Sequence, residues 1–371
     1  VSAAPWHISC SLAVEKRRLP RRFGEVTSMT MKYRLSRRAA LGLIGGSAAA
    51  TLIPGPGARV NAQTLDKVSY QTNWRAQAEH GGFYLAAANG IYKKYGIDAE
   101  IRPGGPQQNP SQLLLGGRVD MIMSNSFEAI RYAQENIPFL CIASIFQKDP
   151  QVLISHPGVG NDSLAALKGK PILVGAAGRN SYWPFLKAKF GYTDEQIRPY
   201  TFNMAPFLAD KTISQQGFLS SEPFAIQKQG GVTPVVHLIA DAGFENYNTT
   251  INISRKMVDE KKDLVQRFVT ATLEGWAEYM KGGPAVAAAN AQILKDNPDM
   301  DQEKIDYAVK VMNEKGIVLS GDALTLGIGA MTDARWLSFY KTMTEAGVFP
   351  AGIDVKKAYS LEFINKGVGK A

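Results

Sequence analysis

Cysteine is almost absent. The 371-residue chain has two, Cys10 and Cys141. Cys10 lies in a basic N-terminal tract, so the remainder can form neither an internal disulfide nor a multi-cysteine metal cluster. Cys141 sits in the strand-like run FLCIAS, where a lone thiol packs as a small hydrophobe. Histidine is scarce too, and the four present are scattered without carboxylate-rich spacing, which argues against a metal. There is no GxxxxGK[ST] loop, strong GxGxxG, HExxH, zinc-finger spacing or repeat. No Ser/His/Asp or Cys/His arrangement has supporting context. No catalysis, metal or cofactor is expected.

A basic surface is missing as well, once the charge is located. The formal charge is +9, but ten Lys/Arg against two acidic residues fall in residues 1–62. The rest is close to neutral, so nothing marks nucleic acid as a partner. Residues 31–62, MKYRLSRRAALGLIGGSAAATLIPGPGARVNA, have a basic start and a weakly apolar stretch over 39–53. A Pro/Gly break and the small-residue ending Val60-Asn61-Ala62 follow. This is the pattern of an export signal, outside the fold. Ser36-Arg37-Arg38 before a Gly/Ala-rich segment resembles a twin-arginine signal. The apolar stretch is shorter than a spanning helix needs. Residues 1–30 lack periodicity and read as a non-native or disordered extension, with Met31 or Met29 the true start. A soluble, monomeric periplasmic product is expected.

What is present is an α/β pattern. Residues 68–72 read as a strand, 79–89 as a helix stopped near Gly90, and 99–102 as a second strand. That is the opening βαβ unit of a parallel sheet. Further strands are expected over 119–123, 139–146 and 151–155. A second α/β series then begins, with strands over 172–175, 198–202 and 234–239 and helices over 182–190 and 223–229. Residues 247–253 are expected to cross back to the first unit. Helical patterns follow over 261–281, 284–296 and 301–315, and a last helix is capped by Thr332 or Asp333. The expected architecture is two lobes: 66–156 and 248–371 form the first, and 157–247 is inserted as the second. Two crossings make a hinge that closes a central cleft on a ligand.

Candidate site residues lie at strand ends facing such a cleft. Asn73 and Trp74 follow the first strand, where an indole can stack on a planar ligand or pack the lobe edge. His80 can hold a polar ligand edge or serve as a structural histidine. Gly81 and Gly105 allow close backbone approach or simply make tight turns. Ser124 and Asn125 end the third strand. Asn180 and Tyr182 flank a Gly-containing turn in the second series. Glu222, before Pro223, is a helix-start carboxylate; in a closed cleft it needs a donor, such as a ligand amino group.

TNWRAQAEHGGFYLAAANGIYKKYGIDAEIRPGG, LLLGGRVDMIMSNS and FLSSEPFAI together resemble periplasmic solute-binding proteins of the NMT1/THI5-like group. The likeness spans about residues 66–345. It implies a type II periplasmic-binding-protein fold, flytrap closure, no catalysis, and delivery of a small molecule to the permease subunits of an ABC importer. It further implies an aromatic heterocycle as ligand, a thiamine-pyrimidine precursor foremost, with Trp74 stacking on the ring and Glu222 taking the exocyclic amine. The group also includes sulfonate and nitrate receptors. Arg75, Arg179 and Arg198 could serve such an anion or an aromatic carboxylate, which stays open as the alternative. A cysteine-rich CCCFC segment, found in the group's eukaryotic synthase, is absent.

Overall fold

A computed structural model describes residues 64–370. The extension 1–30, the leader 31–62 and Cys10 lie outside the described residues. Ten strands follow one another: β1 (Asp66–Gln71), β2 (Ile97–Arg102), β3 (Met121–Asn125), β4 (Phe139–Phe146), β5 (Gln151–Ser155), β6 (Ile172–Val174), β7 (Ile197–Pro199), β8 (Ser214–Phe218), β9 (Val235–Leu238) and β10 (Asn248–Ser254).

They build two five-stranded sheets, ordered β2-β1-β3-β10-β4 and β7-β6-β8-β5-β9. In the first, β1 pairs parallel with β2 and β3, and β10 runs antiparallel to β3 and β4. In the second, β6 pairs parallel with β7 and β8, and β5 runs antiparallel to β8 and β9. The two lobes therefore repeat one plan. Each has a parallel βαβ core and receives, in fourth place, the antiparallel strand that has just crossed from the other lobe.

That plan corrects the division drawn at residue 156. β5 belongs to the second sheet, so the crossing precedes it, at 147–150. β4 and β5 are both buried along their whole length, as strands covered on two faces are, and look alike in sequence. What separates them is Gln147-Lys148-Asp149-Pro150, a polar stretch ending in a residue without an N–H. Asp149 then ties the two crossings together. Its Oδ1 accepts from the Gln151 backbone N–H at 3.0 Å and Asn248 Nδ2 at 2.8 Å, and its Oδ2 accepts from Asn246 Nδ2 at 2.9 Å.

The segment after β10 is helical. Lys262–Lys281 lays an apolar face over the first sheet, burying Phe268, Trp276 and Tyr279. It meets the helix Gly81–Ala88 closely because glycines face each other there. A Cβ on Gly275 would stand 2.4 Å from the Gly82 carbonyl oxygen, and one on Gly82 2.2 Å from the Trp276 ring. The helix Gln302–Glu314 is capped by Asp301, which accepts from Lys304 N at 2.9 Å. Asp333–Glu345 is capped by Thr332. Cys141 is buried, and burial pushes its thiol up to about 12. Among the described residues, no helix is long and apolar enough to cross a membrane, and no group of three or more His, Cys, Asp or Glu could hold a metal.

Candidate functional site

A cavity of about 60 Å³ lies between the lobes. Its walls come largely from the carboxyl ends of β1, β3, β6 and β8 and the segments that follow them, where ligands bind in open α/β sheets, together with the first residues of the antiparallel strands β5 and β10. After β1, the chain supplies Asn73, Trp74, Gln77, Glu79 and His80, and β3 ends at Asn125. From the second lobe come Gln151 at the start of β5, Gln216 to Phe218 in β8, Ser181, and Glu222 at the start of the helix Glu222–Gly230. Asn248 opens β10.

Trp74 reaches across the cleft. Its ring lies 5.9 Å from that of Tyr200 at an interplanar angle of 15°, and meets Phe202 edge-on at 6.3 Å. Gly104 holds the segment in place, because a Cβ there would stand 2.3 Å from the Thr72 carbonyl oxygen and 2.8 Å from Trp74 N. Trp74 thus packs the lobe edge and also lines the cavity.

Glu222 is buried, with Oε1 accepting from the Tyr200 hydroxyl at 3.0 Å and Oε2 from the Phe218 backbone N–H at 2.8 Å. Loss of water pushes its carboxyl up to about 7, and the neighbouring Glu79 adds to this against the lowering effect of the hydrogen bonds. Glu79 is likewise raised by burial, although Ser220 donates to it from the second lobe. His80 is driven down to about 3 by burial, so its imidazole is neutral, and its Nδ1 has no hydrogen-bond partner. The Nε2 of Gln77 is also buried without a partner. Gln216 is fixed through its oxygen, which accepts from Gly175 N at 2.7 Å and the Tyr182 hydroxyl at 3.0 Å.

Of the ten expected residues, Asn73, Trp74, His80, Asn125 and Glu222 line the cavity. The other five do not. Gly81 faces the long C-terminal helix, since a Cβ would stand 1.9 Å from the Tyr279 ring, so packing explains it. A Cβ on Gly105 would meet nothing nearer than Gln108 at 3.9 Å, and the close approach belongs to Gly104. Ser124 spends its hydroxyl on Glu128 at 2.7 Å. Asn180 ends a short helix, Ala176–Asn180, that sequence reading took for a turn, and its carbonyl accepts from Arg131 at 3.4 Å outside the cavity. Tyr182 stands behind Gln216 and positions it.

Sequence reasoning missed Gln77, Glu79, Gln151, Gln216 and Asn248. For Gln151 and Gln216 a signal existed, since each is an amide within a short strand next to a break. Gln77 and Glu79 were masked because Ala78–His80 forms a 3₁₀ turn before the α-helix begins, so consecutive side chains there spread around the cavity rim. The three arginines offered for an anion lie elsewhere. Arg75 pairs with Asp299 at 2.6 Å, Arg179 is exposed, and Arg198 donates to the carbonyls of Glu195 and Ile197. Among the described residues, no Lys or Arg lines the cavity.

Among curated proteins, a riboflavin-binding protein of Chloroflexus aurantiacus is 24% identical over 332 residues, 86% of this chain and 92% of its own. A formylaminopyrimidine-binding protein of Halalkalibacterium halodurans is 23% identical over 265 residues, 68% of this chain and 78% of its own. A Bordetella bronchiseptica structure superposes with a TM-score of 0.62 at 14% identity, covering 81% of this chain and 96% of that one. A Candida albicans protein with the generic periplasmic binding protein fold gives 0.56 at 15%, covering 80% and 96%. The periplasmic aliphatic sulphonate binding protein of Escherichia coli gives 0.53 at 13%, covering 79% and 91%. These likenesses and the paired strand orders make this the type II periplasmic-binding-protein fold. The family described as NMT1/THI5 like matches residues 77–287, which carry the cavity wall from Gln77 through Glu222 to Asn248, and the chain belongs to that family.

Proposed function

We propose that this protein is a periplasmic solute receptor of an ABC importer, acting without catalysis as a monomer, and that its ligand is a small aromatic heterocycle carrying amino or amide donors. A thiamine-pyrimidine precursor fits that description. The observation that carries the reading is the convergence of Trp74 and Glu222, from opposite lobes, on one enclosed cavity. The indole face offers dispersion and apolar burial at small entropic cost. The Glu222 carboxyl, ringed by neutral donors, has acceptor capacity left for an exocyclic amine. The names of the two curated relatives, one for a flavin and one for a pyrimidine, support a planar heterocycle.

A second reading, a sulfonate, nitrate or aromatic carboxylate, has support from the sulphonate-binding protein that shares the fold. The donors it would use are amides: Gln77 Nε2 has no partner, and Asn73 lines the same wall. Against it stand two buried carboxylates and the absence of a cation among the lining residues.

Native mass spectrometry of the protein purified from its own periplasm, followed by identification of the released ligand, tests both. An amino-bearing heterocycle is the expected result. A sulfonate, nitrate or carboxylate would establish the second reading, and a bound molecule chemically altered during incubation would turn attention to catalysis.

A further inference from the structure

Two carboxyl groups face the cavity, one from each lobe, and among the described residues no Lys or Arg lines it to balance them. Glu79 and Glu222 are 2% and 4% exposed. Their partners are all neutral: Ser220 for Glu79, and Tyr200 and the Phe218 N–H for Glu222. His80 is the remaining titratable side chain in the lining, and burial keeps it neutral. Of the cations in neighbouring segments, Arg75 is committed to Asp299 and Arg179 is exposed. A buried charge is costly unless it is paired. The same wall also carries two buried nitrogens without partners, Gln77 Nε2 and His80 Nδ1, on side chains 4% and 2% exposed. Unsatisfied polar atoms at a cavity wall mark a place where a polar ligand completes the hydrogen bonding: Gln77 Nε2 donates to a ligand acceptor such as a ring nitrogen, and His80 Nδ1 pairs with a ligand donor or acceptor according to its tautomer.

We propose that the cavity selects a planar ligand bearing a positive charge, of the amidinium or aminopyrimidinium kind, clamped between Glu79 of the first lobe and Glu222 of the second. This rests on the receptor reading above and adds the ligand's charge and a second recognition residue. A cation with donors on two edges meets both carboxyl groups and favours their ionised forms. A neutral heterocycle supplies hydrogen bonds but no counter-charge. An anion brings a further negative charge to that wall.

Three monosubstituted benzenes separate these cases by calorimetry on the purified protein: the isosteric pair benzamidine and benzamide, and benzenesulfonate, with neutral 4-aminopyrimidine as a fourth probe. Benzamidine should bind at least about tenfold more tightly than benzamide, since charge-assisted hydrogen bonds are roughly twice as strong as neutral ones. Benzenesulfonate should be the weakest of the three. Glu79→Gln should shrink the preference for benzamidine over benzamide to about threefold or less. Should that variant fail to fold, the probe series on the unmodified protein still decides. If 4-aminopyrimidine and benzamide bind but benzamidine gains nothing over benzamide, the charge proposal is overturned and the heterocycle reading stands. If benzenesulfonate binds best, both fall.

Discussion

Ser220 donates its hydroxyl to Glu79 across the cleft, and both side chains are buried. Ser220 follows a strand of the second sheet, and Glu79 follows a strand of the first, so the bond exists when the lobes are together. We predict that it acts as a latch on the closed arrangement. Ser220→Ala should weaken binding of the native ligand by roughly 1–3 kcal/mol, the cost of leaving a buried acceptor without its hydrogen bond. Part of that loss comes through the open–closed equilibrium, because the closed state alone loses the contact. Calorimetry gives the first quantity, and small-angle scattering should show the ligand-free variant more extended than the parent. Unchanged affinity together with an unchanged radius would remove the latch.

Trp74→Ala should weaken ligand binding by roughly 1–3 kcal/mol, the scale of a buried aromatic contact. The ring also packs on Tyr200 and Phe202, so the melting temperature should fall slightly as well. Trp74→Phe keeps a flat face and should recover most of the affinity. If Ala leaves affinity unchanged while lowering the melting temperature, Trp74 packs the lobes and does not touch the ligand.

Much of the fold was legible in the sequence because β3 to β6 are short apolar runs and the helices Lys262–Lys281 and Gln302–Glu314 carry a 3.6-residue stripe; β8, the polar run Ser214–Phe218, was not read as a strand. β4 and β5 were read with their observed limits, 139–146 and 151–155. Their assignment to sheets was not legible, because the hinge between them is four residues long and both strands are buried throughout. At the site, Trp74 and Glu222 were visible as an aromatic and a carboxylate at element ends. Gly81 was misread because a glycine that admits a ligand and one that admits a Tyr279 ring look the same in one dimension. Glu79 was overlooked beside His80, since only the 3₁₀ turn over Ala78–His80 shows that the two share one cavity.

Gly81→Ala tests the packing assignment directly. The added methyl would stand 1.9 Å from the Tyr279 ring, so either the ring or the helix Gly81–Ala88 must move. Overpacking of this kind costs about 1–3 kcal/mol. Urea unfolding should show that loss, with ligand affinity of the folded fraction within about twofold of the parent. A variant of full stability that fails to bind would return Gly81 to the ligand site.

Glu222 should make stability fall as pH rises from about 4.5 to about 7. Its ordinary value is 4.5, and burial raises it to about 7 in the folded protein. An acid raised on folding holds its proton more tightly in the native state. Its contribution is therefore fully present below the unfolded value, is lost as pH rises through the interval, and changes no further above the folded value. The shift corresponds to about 3 kcal/mol across that window. Glu79 and Asp149 are raised by burial too and slope the same way, so the parent's curve alone does not isolate one residue. Glu222→Gln does, because it keeps the shape and removes the titration. Urea unfolding of the ligand-free protein at pH 5 and pH 7.5 should show the parent losing about 2 kcal/mol more than the variant between the two conditions, since pH 5 already lies inside the interval. Parallel behaviour of the two would mean that Glu222 stays ionised throughout, and that the Tyr200 and Phe218 hydrogen bonds outweigh its burial.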